Sequence, residues 1–158
     1  MKTPAVRLHL QPQSTLLELV DGRTVTLAVG PRGLAESALR HDPPTPGELE
    51  RAIDLVEDAL AGWRQLGSGS DRLVTAHPPL LTLPGLEAPD AGLDLDGVEA
   101  LFQRLASRAL GTPIAAAQLP HGRDVAAALI ILRECMHHLG FGHVGAAEAP
   151  GERRDTVR

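Results

Sequence analysis

Aromatic side chains are almost absent from this chain: two Phe, one Trp and no Tyr, 2% of 158 residues. Its core must therefore be aliphatic, built from Leu, Val, Ile and Ala. Cysteine is equally scarce. Cys135 is the single thiol, which excludes an internal disulfide and fits a reducing cytoplasm. Clustered Lys and Arg are missing too. With 15 basic and 20 acidic residues the formal net charge is −5, and no basic stripe exists to neutralise duplex phosphates, so nucleic acid is not expected as a partner. The basic end, Arg153, Arg154 and Arg158, is broken by Asp155 and reads as a frayed terminus. No apolar run has signal length at the N-terminus. The longest one, Val125 to Leu132, falls well short of the roughly 20 residues a bilayer demands. A soluble cytoplasmic protein without membrane contact is the expectation.

What is present is a well-punctuated α/β pattern. Val6, Leu8 and Leu10 alternate, then Leu17 and Leu19, then Val25, Leu27 and Val29. Asp21-Gly22 is a hairpin signal between the last two runs. An antiparallel three-stranded meander follows from these. A short helix is expected over 32–39. Thr45, Pro46 and Glu48 then make a capping box with Pro at the first helical position, and Leu49, Ile53, Val56, Leu60 and Trp63 form one apolar stripe. A brief strand is expected at Leu73 to Thr75, and irregular chain through the four prolines of 77–90. Asp96 with Glu99 reads as a second capping box, leading the stripe Val98, Leu101, Phe102, Leu105, Ala109 to a stop at Gly111. A final helix from Arg123 to Leu139 is apolar all round over 125–132 and should be the central buried helix. Phe141 to Ala146 reads as a last strand beside the meander. One domain over 1–146 and a flexible tail over 147–158 are expected.

Several segments together resemble a known family. VRLHLQPQSTLLELV (6–20), GPRGLAESALRHDPPTPGELERAIDLVEDAL (30–60) and LPHGRDVAAALIILRECMHHLGFGHV (119–144) are similar to the second domain of the exopolyphosphatase/guanosine-pentaphosphate phosphatase family, within the actin-like ATPase superfamily. The resemblance implies an RNase-H-like fold: a mixed sheet opening with the three-stranded meander, with helices packed on its faces. It also implies a phosphate loop, Asp-hydrophobic-Gly-Gly-Gly-Ser-Thr-Glu, between the first two strands. This chain reads HLQPQSTL (9–16) there. Only Ser14 and Thr15 match; the acidic residue is His9, the Glu is Leu16, and Glu18 stands two residues on. Glycines serve such loops because bare backbone lets N–H groups close on phosphate, and Pro12 has no N–H to offer. A second Gly-Gly-Thr loop would fall at VTAHPPLL (74–81), which has no Gly. The family's first domain, which carries its presumed catalytic Glu, is not matched.

The resemblance therefore implies a scaffold kept and catalytic loops lost, with no catalytic residue assigned and no cofactor expected. A weakened anion or nucleotide site would use His9, Ser14 and Thr15, against the plainer reading of a hairpin whose hydroxyls satisfy local backbone. His121 and Arg123 could hold an anion at a helix N-terminus, although PHGRD also simply starts a helix. Cys135, His137, His138 and His143 have metal-ligand chemistry but no metal-site spacing, and no metal is expected from them. Gly67-Ser68-Gly69-Ser70 follows a helix, the wrong context for a hydrolase nucleophile. Asp54, Glu57 and Asp58 read as a solvated helix face. The expected role is a binding or assembly module acting on a protein partner or a second copy, with Leu80, Leu81, Leu83 and Leu86 in the contact surface. The alternative is a phosphatase or a binder of polyphosphate, nucleotide or another phosphate-bearing small molecule. It would complete its cleft by dimerisation or with a partner chain, and would need Mg²⁺.

Overall fold

The computed structural model describes residues 3–112 and 119–147. A six-stranded mixed sheet has the order β3-β2-β1-β4-β6-β5. The meander is β1 (Val6–Leu10), β2 (Thr15–Glu18) and β3 (Thr24–Leu27), antiparallel throughout. The β2–β3 turn closes because Gly22 takes a positive φ of 90°, and Asp21 accepts the Arg23 amide at 3.0 Å. β4 (Arg72–Thr75) joins β1 in parallel. β6 (His143–Ala146) is parallel to β4. It therefore lies beyond β4 and not beside the meander, as strand order along the chain had suggested. Beyond it, β5 (Gly92–Asp94) forms an antiparallel edge. Three residues with only Leu93 apolar left no alternation for the sequence to show.

One face of the sheet is buried through Val6, Leu8, Leu17, Val25, Leu27, Leu73 and Val144. On the other, Arg7, His9, Glu18, Thr24 and Thr26 are exposed. The period of two in each strand produces that division. The helices are α1 (Pro31–Ala38), α2 (Pro46–Leu60), α3 (Pro78–Leu81), α4 (Leu95–Ala109) and α5 (Arg123–Leu139). α1, α2, α3 and α4 all pack on α5, whose residues 125–132 are buried without exception. The continuous apolar run thus marks the central helix, as expected.

Local chemistry explains the helix ends. Thr45 accepts the Glu48 amide at 3.1 Å and Glu48 accepts the Thr45 amide at 2.9 Å, the anticipated capping box. The second box is different. Asp94 is the N-cap, accepting the Gly97 amide at 2.7 Å, so α4 starts before Asp96, and Glu99 turns instead to Arg133. Trp63 leaves the α2 stripe, because the helix tightens to a 3-10 turn over Ala61–Trp63 and the indole is 37% exposed. The proline-rich 77–90 segment contains α3, and it buries Leu80, Leu83 and Leu86 completely or nearly so. These three are therefore not available as a surface: Leu80 on α3 and Leu83 and Leu86 beyond it belong to the core, and of the four leucines expected there only Leu81 is half-buried. Ala147, assigned to the tail, donates to the Thr75 carbonyl at 2.7 Å; the remainder of that tail, 148–158, lies outside the described residues. Among the described residues no helix is long and apolar enough to cross a membrane.

Candidate functional site

Parallel β1 and β4 end at the same edge of the sheet, and three segments converge there. They are the β1–β2 turn (11–14), the start of α1 and the β4–α3 junction, joined by the N-terminus of α5. A cleft of about 220 Å³ is lined there by Gln11, Pro12, Pro31, Arg32, His77 and Asp124, among others. It adjoins a wider groove of about 590 Å³ formed by Pro78, Pro79, Thr82, His121, Arg123 and Asp124. Crevices at the carboxyl ends of parallel strands are where open α/β sheets hold ligands.

The β1–β2 turn is shaped for self-contact. Its Pro12 carbonyl accepts the Gly33 amide, at the start of α1, at 3.0 Å. An anion at this helix N-terminus would need that N–H. Pro31, the first helical residue, has none to give. Gly30 lies so close beneath the turn that an added Cβ would sit 2.2 Å from the Gln11 carbonyl oxygen and 2.6 Å from that of Pro12. A carbonyl oxygen thus takes an amide of this end of α1, and the Ser14 backbone nitrogen is close too, 2.5 Å from that same Cβ position.

The hydroxyls of the turn are also engaged. Ser14 Oγ donates to Gln11 Oε1 at 2.8 Å. Thr15, fully buried, donates to the Val29 carbonyl at 2.7 Å. His9 stands on the exposed sheet face, its Nε2 3.4 Å from Glu18 Oε2. The displaced Glu18 has met His9 across the β1–β2 pair. His121 and Arg123 do line one groove, but Arg123 reaches back to α1: Nη2 donates to the Ala35 carbonyl at 2.9 Å and Nε to that of Leu39. The five expected ligand residues therefore fall in three places: His9 on the open face, Ser14 and Thr15 inside the hairpin, and His121 and Arg123 at the groove.

His77 is the residue that sequence reasoning passed over. It caps α3 at the end of β4 and lines the smaller cleft. Its Nε2 is buried with no hydrogen-bond partner. Burial lowers its pKa, and the Asp124 carboxylate opposes that. The signal was its place, a histidine directly after a strand that the family resemblance aligns with a phosphate loop.

The four residues with metal-ligand chemistry do not gather either. Cys135 is fully buried, and desolvation pushes its thiol up to about 12, so it packs as a small apolar group. His137 is exposed and meets His138 edge-on, with ring centroids 5.0 Å apart. His143 belongs to β6, its ring against Gly92. His138 lies near two acidic side chains, Glu134 and Glu57, the latter placed by its sequence on a solvated face.

The mixed α/β fold is one that solved structures share. The chain is similar to the PPX-GPPA enzyme of Aquifex aeolicus at 16% identity and a TM-score of 0.66, over 94% of this chain and 54% of that one. A second Aquifex aeolicus Ppx/GppA family structure gives 16% identity and a TM-score of 0.67, covering 91% and 52%. An exopolyphosphatase-like protein gives 13% identity and a TM-score of 0.66, covering 94% and 56%. The chain thus spans about half the length of each, as a one-domain resemblance requires. No family model and no curated protein matches the sequence. At these identities the likeness establishes the fold.

Proposed function

We propose that this chain is an exopolyphosphatase-related domain without catalysis, which works by binding a protein partner or a second copy of itself in the cytoplasm. One observation carries the reading. The Pro12 carbonyl occupies the Gly33 amide where a phosphate loop would present its own N–H groups to an anion. Oriented amide donors are what stabilise a phosphoryl group and its developing charge. A loop whose Pro12 carbonyl takes the Gly33 amide opposes that charge, and the Thr15 proton is committed to the buried Val29 carbonyl, while Ser14 bonds Gln11 at the surface.

A thermal-shift titration with polyphosphate, guanosine tetraphosphate and ADP, each with and without Mg²⁺, tests it. A ligand of the folded state alone raises the unfolding midpoint. No shift at millimolar ligand is expected, together with a concentration-dependent mass in sedimentation or a defined complex with a partner. A saturable shift, or Mg²⁺-dependent phosphate release, overturns the reading.

His77 favours a second reading. An imidazole with an unpartnered buried nitrogen, beside Arg32 and the start of α5, suits a phosphate-bearing small molecule whose cleft a second copy or a partner chain completes. In that case His77→Ala and Arg32→Ala should each abolish the shift.

A further inference from the structure

Away from the cleft, three side chains from two helices converge. Glu134 and His138 are one turn apart on α5, on the same face, and Glu57 comes across from α2. His138 Nε2 lies 3.6 Å from Glu57 Oε1 and 3.8 Å from Glu134 Oε1, and one ligand atom from each of the three falls within 4.8 Å of the others. The Glu57 and Glu134 carboxyls are close enough to share a hydrogen bond, but the two separations from His138 are too long for one. They approach the edges of a tetrahedron around a metal ion, where bonds of about 2.0–2.2 Å put ligand atoms roughly 3.3–3.6 Å apart.

The surroundings hold the set in place. Glu134 has a side chain only 3% exposed, and its other oxygen, Oε2, takes Arg133 Nη1 at 3.3 Å. Arg133 is itself fixed, by Glu99 at 2.6 Å and by stacking 4.0 Å over the Phe102 ring. Oε1 is thereby turned to Glu57 and His138. Such outer contacts orient ligands in metal sites. Glu57 is 38% exposed and His138 19%, so the site is open on the α2 side to an entering ion and to water as a fourth ligand.

We propose that Glu57, Glu134 and His138 bind one divalent transition-metal ion of the zinc class, pinning α2 to α5. An imidazole with two carboxylates suits Zn²⁺ or Co²⁺, whereas Mg²⁺ and Ca²⁺ favour more numerous oxygen ligands. The two carboxylates balance the dication, and a cation removes the repulsion between acidic groups brought together in a half-buried place.

The test uses the full chain, free of any tag and stripped with EDTA. Calorimetric titration with Zn²⁺ should give one equivalent bound, and Co²⁺ should produce the visible band of a tetrahedral ion; Mg²⁺ should do neither. His138→Gln and Glu57→Gln should each weaken Zn²⁺ binding on the order of 100-fold or more, since even outer-shell losses cost 10–100-fold. Both side chains are partly exposed, so the variants should keep the stripped protein's circular dichroism. His137→Gln, next to the site but turned away, should leave binding unchanged. No Zn²⁺ uptake would mean that the two carboxyls merely share a proton, and the proposal fails. Uptake unaltered by both Gln variants also overturns it.

Discussion

The Pro12 carbonyl accepts the Gly33 amide at 3.0 Å, tying the β1–β2 turn to the first turn of α1. That contact requires the backbones to approach closely, and Gly30 makes room for it. A methyl at residue 30 would meet the Gln11 carbonyl oxygen at 2.2 Å and the Ser14 nitrogen at 2.5 Å, and backbone cannot swing aside as a side chain does. Gly30→Ala is therefore expected to destabilise by roughly 2–4 kcal/mol, in the range of overpacking with backbone displacement. Urea denaturation should show a lower midpoint with an unchanged slope.

The adjacent hydroxyls separate cleanly. Thr15→Val keeps the shape but leaves the buried Val29 carbonyl without its donor, a loss of about 1–3 kcal/mol. Ser14→Ala removes an exposed bond to Gln11 and should change stability by less than about 0.5 kcal/mol. A phosphate-binding hairpin would give the contrary pattern, with both substitutions reducing ligand-induced thermal shifts.

Arg123 acts on α1. Its guanidinium donates to the carbonyls of Ala35, which also takes the Leu39 amide at 3.0 Å, and of Leu39, the residue that ends the helix. Arg123→Ala should cost about 1.5–3 kcal/mol, the range for hydrogen bonds from a charged group. Amide exchange should accelerate in α1, with little change in α4. If Arg123 instead served an anion in the groove, stability in ligand-free buffer would hardly move.

Much of this architecture was legible in the sequence because it is local. The Thr45–Glu48 box, the Asp21-Gly22 turn and the apolar run 125–132 each depend on residues within a few positions, and each appears as expected. What escaped depends on distant chain. β6 lies beyond β4 because pairing is decided in three dimensions. Leu80, Leu83 and Leu86 are buried in the shared core, in a segment whose prolines suggested only loop. The candidate site was less legible still. A carbonyl facing a helix start, an unpartnered nitrogen on His77 and a glutamate crossing from α2 to His138 are relations between segments, and no spacing encodes them.

Two glutamates shift in opposite directions, which gives the acid and alkaline limbs of the stability profile separate origins. Burial pushes the Glu48 carboxyl up, but the Thr45 amide, His41 and the Arg40 amide outweigh it and bring the group down to about 2. An acid with a lowered folded value stabilises above its unfolded value of 4.5 and loses that contribution as pH falls toward 2. Glu134 is the reverse. Desolvation raises it to about 7, Arg133 opposes, and the carboxylates of Glu57 on α2 and Glu99 on α4 reinforce the rise, with His138 one turn along α5 also facing it. Its folded form holds a proton that the unfolded chain releases above 4.5, so its stabilisation is complete below 4.5 and disappears as pH rises through about 7. Urea midpoints measured in EDTA from pH 2 to 8 should therefore peak near pH 4–5. Glu134→Gln should flatten the fall between pH 5 and 7.5, because an amide keeps the neutral state at every pH. Glu48→Gln should flatten the fall below 4.5 and lower the whole curve by about 0.5–2 kcal/mol, the usual worth of a cap. A wild-type midpoint that climbs steadily from pH 5 to 7.5 would show that Glu134 is ionised in the folded protein and that its burial among Glu57 and Glu99 is compensated by Arg133.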